Sequence, residues 1–96
     1  MGETEMEILE VIQIRTAPDK RAPKRLIRRI VNETETVQGL ARICIFSNAE
    51  LETDLSIHLH WRLNRSLRGG SETGLKIVHT LKEYGLVNHN TWITEE

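Results

Sequence analysis

The feature that most restricts this chain is a ten-residue run, DLSIHLHWRL, from Asp54 to Leu63. In it Leu55, Ile57, Leu59, Trp61 and Leu63 alternate with Ser56, His58, His60 and Arg62. A period of two over this length puts the five apolar side chains on one side of an extended strand and the polar set on the other. The chain must therefore build a sheet with one packed face and one face of different character. A one-residue slip would carry the whole apolar set into water, so the register of this strand is strongly specified.

The remaining segments supply partners for it. MEILEVIQIR, residues 6 to 15, has Ile8, Ile12 and Ile14 in phase and further apolar groups out of phase, the pattern of a central strand. TAPDKRAP follows as a loop, and Pro23 suits a helix start, where its missing N–H is harmless. The spacing of Leu26, Ile27, Ile30 and Val31 predicts a helix running to about Glu33 with a basic outer side. Gly39 opens a second strand, LARICIFSNA, and ELETD is a polar turn before the third. NRSLRGGSETG breaks the pattern, Ser71 caps a second helix with Leu75, Val78, Leu81 and Tyr84 as its buried stripe, and Gly85 stops it. LVNHNTWITEE closes the order β-α-β-β-α-β. The expected fold class is α+β, a ferredoxin-like antiparallel sheet in strand order 4-1-3-2 with both helices on one face, in a single domain over residues 1–96.

At 96 residues such a domain hides roughly 65% of its unfolded surface, enough for one core with little surplus. The net charge of −1 gives no global pull toward nucleic acid or anionic lipid. Cys44 is the single cysteine, so no internal disulfide or zinc-finger pattern exists, and in mid-strand it serves as a small hydrophobe. The acidic first ten residues do not read as a signal peptide, and no apolar run approaches the ~18 residues of a membrane span. The expectation is a cytoplasmic protein without membrane partners. The basic group Lys20, Arg21, Lys24, Arg25, Arg28 and Arg29 is read as the solvated face of the first helix, not as a nucleic-acid footprint.

Two helices cover one face of this sheet and leave the other bare. Ser56, His58, His60 and Arg62 belong to the bare face, joined by Gln13 and Arg15, with Leu9 and Val11, from strand one. Strand two adds Arg42, Cys44 and Phe46 in one register, or Ile43 and Ile45 in the other. That mixture suits a second copy stacked sheet on sheet, a homodimer through the open face.

The layout, the length, the LHWRL ending of strand three and the closing GLVNHNTWI together resemble the antibiotic-biosynthesis monooxygenase-like family of dimeric α+β barrels. The resemblance covers Met6 to Thr94. It implies a homodimer and, where members are enzymes, oxidation of an aromatic or quinol-like small molecule by O₂ without metal, flavin or other cofactor. A haem-degrading branch uses an Asn on strand one, a Trp and a His on helix two. Here Trp61 and His79 are present, Gln13 stands for the Asn, and the Trp-to-His separation is longer, so haem degradation is not expected.

The candidate catalytic residues are therefore Trp61 and His79 if the cavity lies between helix and sheet, and His58 and His60 if it lies between two stacked sheets. Arg62, Gln13 and Tyr84 are the candidate binding residues. His58 and His60, ~6.6 Å apart along the strand, can chelate one metal. A third ligand is needed, however, and strands one and two are read as offering Cys44 in one register and no carboxylate. His89 is placed ~10 Å away on strand four. No metal is assigned. RSLRGGSETG, before a helix N-terminus, reads as a mobile polar loop able to act as a lid, or as a cradle of backbone N–H groups for a carboxylate or phosphate. A non-catalytic small-molecule or protein-binding module on the same scaffold is the alternative, because fold does not fix function.

Overall fold

The computed structural model describes residues 5–95. The elements are β1 (Met6–Thr16), α1 (Lys24–Thr34), β2 (Leu40–Ser47), β3 (Asp54–Leu63), α2 (Glu72–Leu81) and β4 (Gly85–Ile93). The strands form one antiparallel sheet in the order β2-β3-β1-β4, the ferredoxin-like arrangement expected from the sequence. β1 and β3 are central, and they are the two strands with the densest apolar patterning.

The strict alternation of β3 does what its period requires. Ile57, Leu59 and Trp61 are buried beneath the helices, beside Ile8, Ile12 and Ile14 of β1. Leu26 and Ile30 of α1 and Ile77, Val78 and Leu81 of α2 complete this core. β2 takes the register that sends Ile43 and Ile45 to the core and Arg42, Cys44 and Phe46 to the bare face, with a bulge between Leu40 and Arg42.

Two local expectations are corrected. Pro23, with an extended backbone (ψ 141°), is the N-cap of α1 and not its first helical residue, and its hydrocarbon ring offers the cap no side-chain acceptor. In α2 the buried stripe is Gly74, Ile77, Val78 and Leu81, while Leu75 is exposed and Tyr84 lies beyond the helix end, half-buried. The helix is rotated so that glycine, not leucine, meets the sheet. The reason is a carboxylate beneath it, described below.

Candidate functional site

The open face of the sheet is read off the strand registers as a series of rows. Arg42, His60, Leu9 and Trp92 form one row, and Cys44, His58, Val11 and Asn90 the next. Phe46, Ser56, Gln13 and Asn88 form a third, and Arg15 pairs with both Asp54 and Leu86 beyond it. Phe46, Leu86 and Trp92 are all more than half exposed. The bare side of this small sheet thus exposes three large apolar side chains.

Between them lies the histidine pair. His58 packs against Phe46 with ring centroids 4.8 Å apart, and the rings of His58 and His60 are 6.4 Å apart. Ser56 Oγ lies 2.9 Å from His58 Nε2. Partial burial pushes the pKa of His58 below its ordinary value. Burial does the same for His60, helped by the neighbouring positive charges of Arg42 and His58. Both imidazoles are thus held toward the neutral form, able to accept a proton or donate a hydrogen bond near neutral pH.

The charges on this face are organised in pairs. Arg15 forks onto Asp54, with Nη2 to Oδ2 at 2.8 Å and Nε to Oδ1 at 3.1 Å, and holds the Asp54 carboxyl below its usual range. Arg62 Nη2 donates to Glu7 Oε1 at 3.2 Å. The expectation that β1 brings no carboxylate to this face is therefore corrected: Glu7 stands opposite Arg62 in the register. Two shallow depressions flank the histidines. One of about 600 Å³ includes Gln13, Phe46, Ser56 and Leu86, and one of about 480 Å³ includes Leu9, Arg42, His60, Arg62 and Trp92. Among the described residues, no group of three His, Cys, Asp or Glu side chains is arranged to hold a metal ion.

His89 is not part of this face. β4 turns it to the helix side, where its Nε2 is 2.7 Å from Oε2 of Glu10. Glu10, wholly buried, is the hub of the other polar cluster. Its Oε1 accepts from Trp61 Nε1 at 2.9 Å and from Ser71 Oγ at 2.6 Å, and its Oε2 also accepts from the Ser71 N–H at 2.9 Å. Ser71 Oγ in turn accepts from the Gly74 N–H at 2.8 Å, capping α2. A Cβ at Gly74 would collide with the Glu10 carboxylate, which is why glycine faces the sheet there, and one at Gly70 (φ +98°) would meet the His89 ring. Of the backbone N–H groups in RSLRGGSETG, that of Ser71 is taken by a carboxylate of the protein itself and that of Gly74 by the Ser71 hydroxyl. The loop is pinned to the sheet at Ser71, and Leu67 is buried.

The residues suggested by the haem-degrading branch are not brought together. Trp61 is buried on the helix side with its N–H on Glu10, whereas Gln13 is exposed on the opposite face of the sheet. His79 is exposed on α2 and lines a groove with Arg25, Arg29 and Tyr84, away from Trp61. The strand-one residue beside Trp61 is Glu10. Sequence reasoning missed it, and missed Trp92 as a member of the open face; Arg42 was one of two alternatives there, and the register selects it. The signal for Glu10 was available: it is the one charged residue in the apolar phase of β1. All six residues of the basic group in and before α1 are exposed.

Neither a family model nor a curated protein matches the chain. Among the described residues, no helix is long and apolar enough to cross a membrane. Among solved structures the chain is similar to a conserved protein of unknown function from Bacteroides thetaiotaomicron, described as a possible oxidoreductase. The two share 13% identity with a TM-score of 0.67, over 95% of this chain and 99% of that one. The likeness establishes that the two share a fold.

Proposed function

We propose that this chain acts as a homodimer closed through its open sheet face, and that the space between the two sheets binds a small aromatic or quinol-like molecule and oxidises it with O₂ without a resident cofactor. The observation that carries the reading is the placement of two imidazoles, both held toward neutrality, among the exposed side chains Phe46, Leu86 and Trp92. A sheet of this kind gains by burying those three groups, at about 25 cal/mol per Å² of apolar surface removed from water.

In this reading His58 or His60 takes the proton from a substrate hydroxyl as general base. Arg42 and Arg62, lining the same depression as His60, hold the resulting anion. The anion supplies the electrons: one oxygen atom of O₂ enters the substrate and the other leaves as water, so no external reductant is consumed. Gln13 orients the ligand from the neighbouring row. Trp61, His79 and Tyr84 are left with structural roles. The fold shared with a possible oxidoreductase agrees with this reading.

A second reading, a binding module without turnover, is favoured by one observation. Arg62 and Arg15 are already paired with Glu7 and Asp54, which leaves Arg42 as the cation of this face without a carboxylate partner among the described residues. Oxygen uptake over a panel of quinols decides between the two. Uptake abolished by His58→Ala or His60→Ala and retained in His79→Ala supports the enzyme. Ligand-induced thermal stabilisation without uptake supports the binder. A monodisperse monomer in light scattering at micromolar concentration would remove the shared interior and both readings with it.

A further inference from the structure

On the other side of the sheet, between the N-terminal half of α1 and the end of the β2–β3 hairpin, lies a cleft of about 580 Å³. Its floor is apolar: Ala22, Ile27, Ile45 and Leu55 pack against the edge of the core but stop short of burial. Its rim is basic. Lys24 and Arg28, one turn apart on the same side of α1, both line it, and neither has an ion-pair or hydrogen-bond partner among the described residues. Arg21, also at the rim, is tied to Glu52 at 2.8 Å. Like charges at i and i+4 are unfavourable in a helix. The next such pair, Arg25 and Arg29, is relieved by Glu33, 3.8 Å from Arg29, whereas Lys24 and Arg28 have no acidic residue one turn away on α1, and Glu52, the carboxylate that also lines the cleft, is paired with Arg21. The first turn of α1 contains no acidic residue and its cap has no side-chain acceptor, so the positive end of the helix adds to the same field.

We propose that this cleft binds an aliphatic monocarboxylate, its hydrocarbon body on Ala22, Ile27, Ile45 and Leu55 and its carboxylate between Lys24 and Arg28. The volume is that of an ordinary small-molecule site, about 300–1,000 Å³. The combination of apolar floor and unpaired cations selects the class of ligand. A polyanion would use the cations and leave the floor empty, and a neutral lipid would use the floor and leave the cations unpaired. The site is independent of the open sheet face, on the opposite side of the sheet, and its failure leaves the proposed function untouched.

The test is an amide NMR titration of the isotope-labelled protein with sodium octanoate, with 1-octanol and sodium acetate as comparators. Octanoate is expected to give saturable shifts at Ala22, Ile27, Ile45 and Leu55, and acetate at the same concentration none. Because Lys24 and Arg28 are exposed, the double variant Lys24→Gln/Arg28→Gln keeps the fold. It is expected to weaken octanoate about tenfold, two exposed charge contacts together, and to leave 1-octanol binding unchanged. Three results overturn the proposal: no saturable shift at those four amides, octanoate binding no tighter than 1-octanol, or equal octanoate affinity in the double variant.

Discussion

Glu10→Gln is the substitution that tests the packing logic most sharply, because it preserves shape and changes only which atoms can accept. Four donors converge on the two carboxylate oxygens: Trp61 Nε1 and Ser71 Oγ on one, the Ser71 N–H and His89 Nε2 on the other. Ser71 Oγ can turn its hydrogen away, and His89 can adopt its other tautomer. The indole N–H and the backbone N–H have no such freedom. Whichever way the glutamine amide is turned, its NH₂ faces one of those two fixed donors. One buried N–H is then unsatisfied, at about 1–3 kcal/mol, and the remaining bonds lose the strengthening a charged acceptor provides. A total loss of about 2–4 kcal/mol is expected, against about 5–14 kcal/mol for a domain of this length. Urea unfolding followed by tryptophan fluorescence at one fixed protein concentration measures it, and Tm should fall by about 8–16 °C for the first ~2 kcal/mol lost. Glu10→Ala, which orphans all four donors, should cost more, about 3–5 kcal/mol. A Glu10→Gln variant within ~0.5 kcal/mol of the parent, an ordinary result for a surface change, would refute the claim that this carboxylate organises the junction of β1, β3, β4 and α2.

The same junction predicts that Gly74→Ala destabilises although alanine is the better helix former, since the added Cβ collides with the Glu10 carboxylate; thermal unfolding checks the sign. On the open face, Trp92→Ala combined with Phe46→Ala should shift a homodimer to monomer in light scattering while the monomer keeps its far-UV circular dichroism, because both side chains lie outside the core cluster. For His58 and His60 the folded pKa values are depressed. The unfolded chain therefore binds more protons than the folded one in the window below the ordinary imidazole value, ~6.5. Stability is full above ~pH 6.5 and is lost as the pH falls from there through the folded values. Unfolding midpoints at pH 7.5 and 5.5 should differ in that direction, and His58→Gln with His60→Gln should reduce the difference. A pH response untouched by that double variant would move its origin elsewhere.

The alternation of Leu55 through Leu63 carried nearly all of the fold information: it set which face of β3 is buried, and β1 and β2 then had to match it. Two things escaped it. The phase of β2 is set by a bulge at Leu40–Arg42 that two equally apolar registers, Ile43/Ile45 and Cys44/Phe46, do not reveal. The rotation of α2 is set by a partner 64 positions away, Glu10 under Gly74, so the helical spacing of Leu75, Val78 and Leu81 pointed to the wrong leucine. Glu10 itself breaks the apolar phase between Ile8 and Ile12, and the buried indole of Trp61 needs an acceptor. Taken together those two needs answer each other, and the register sets Ile8 opposite Trp61 and Glu10 one step on, on the same side. Ser71 and His89, by contrast, meet Glu10 only through the tertiary fold.

That saturation bears on where chemistry can occur. Every buried side-chain nitrogen and oxygen among the described residues has a partner, and on the helix side Trp61, Ser71 and His89 spend their polar atoms on Glu10. A substrate entering there would have to break bonds to a buried carboxylate, at about 1–3 kcal/mol for each donor left unpaired. The open face carries no such penalty. Its imidazoles are partly exposed and held toward neutrality, and Trp92, Leu86 and Phe46 stand out around them. If His79→Ala, and not His58→Ala or His60→Ala, abolished oxygen uptake, the balance would reverse: the reaction would then belong to the groove that His79 lines with Arg25, Arg29 and Tyr84, outside the Glu10 cluster.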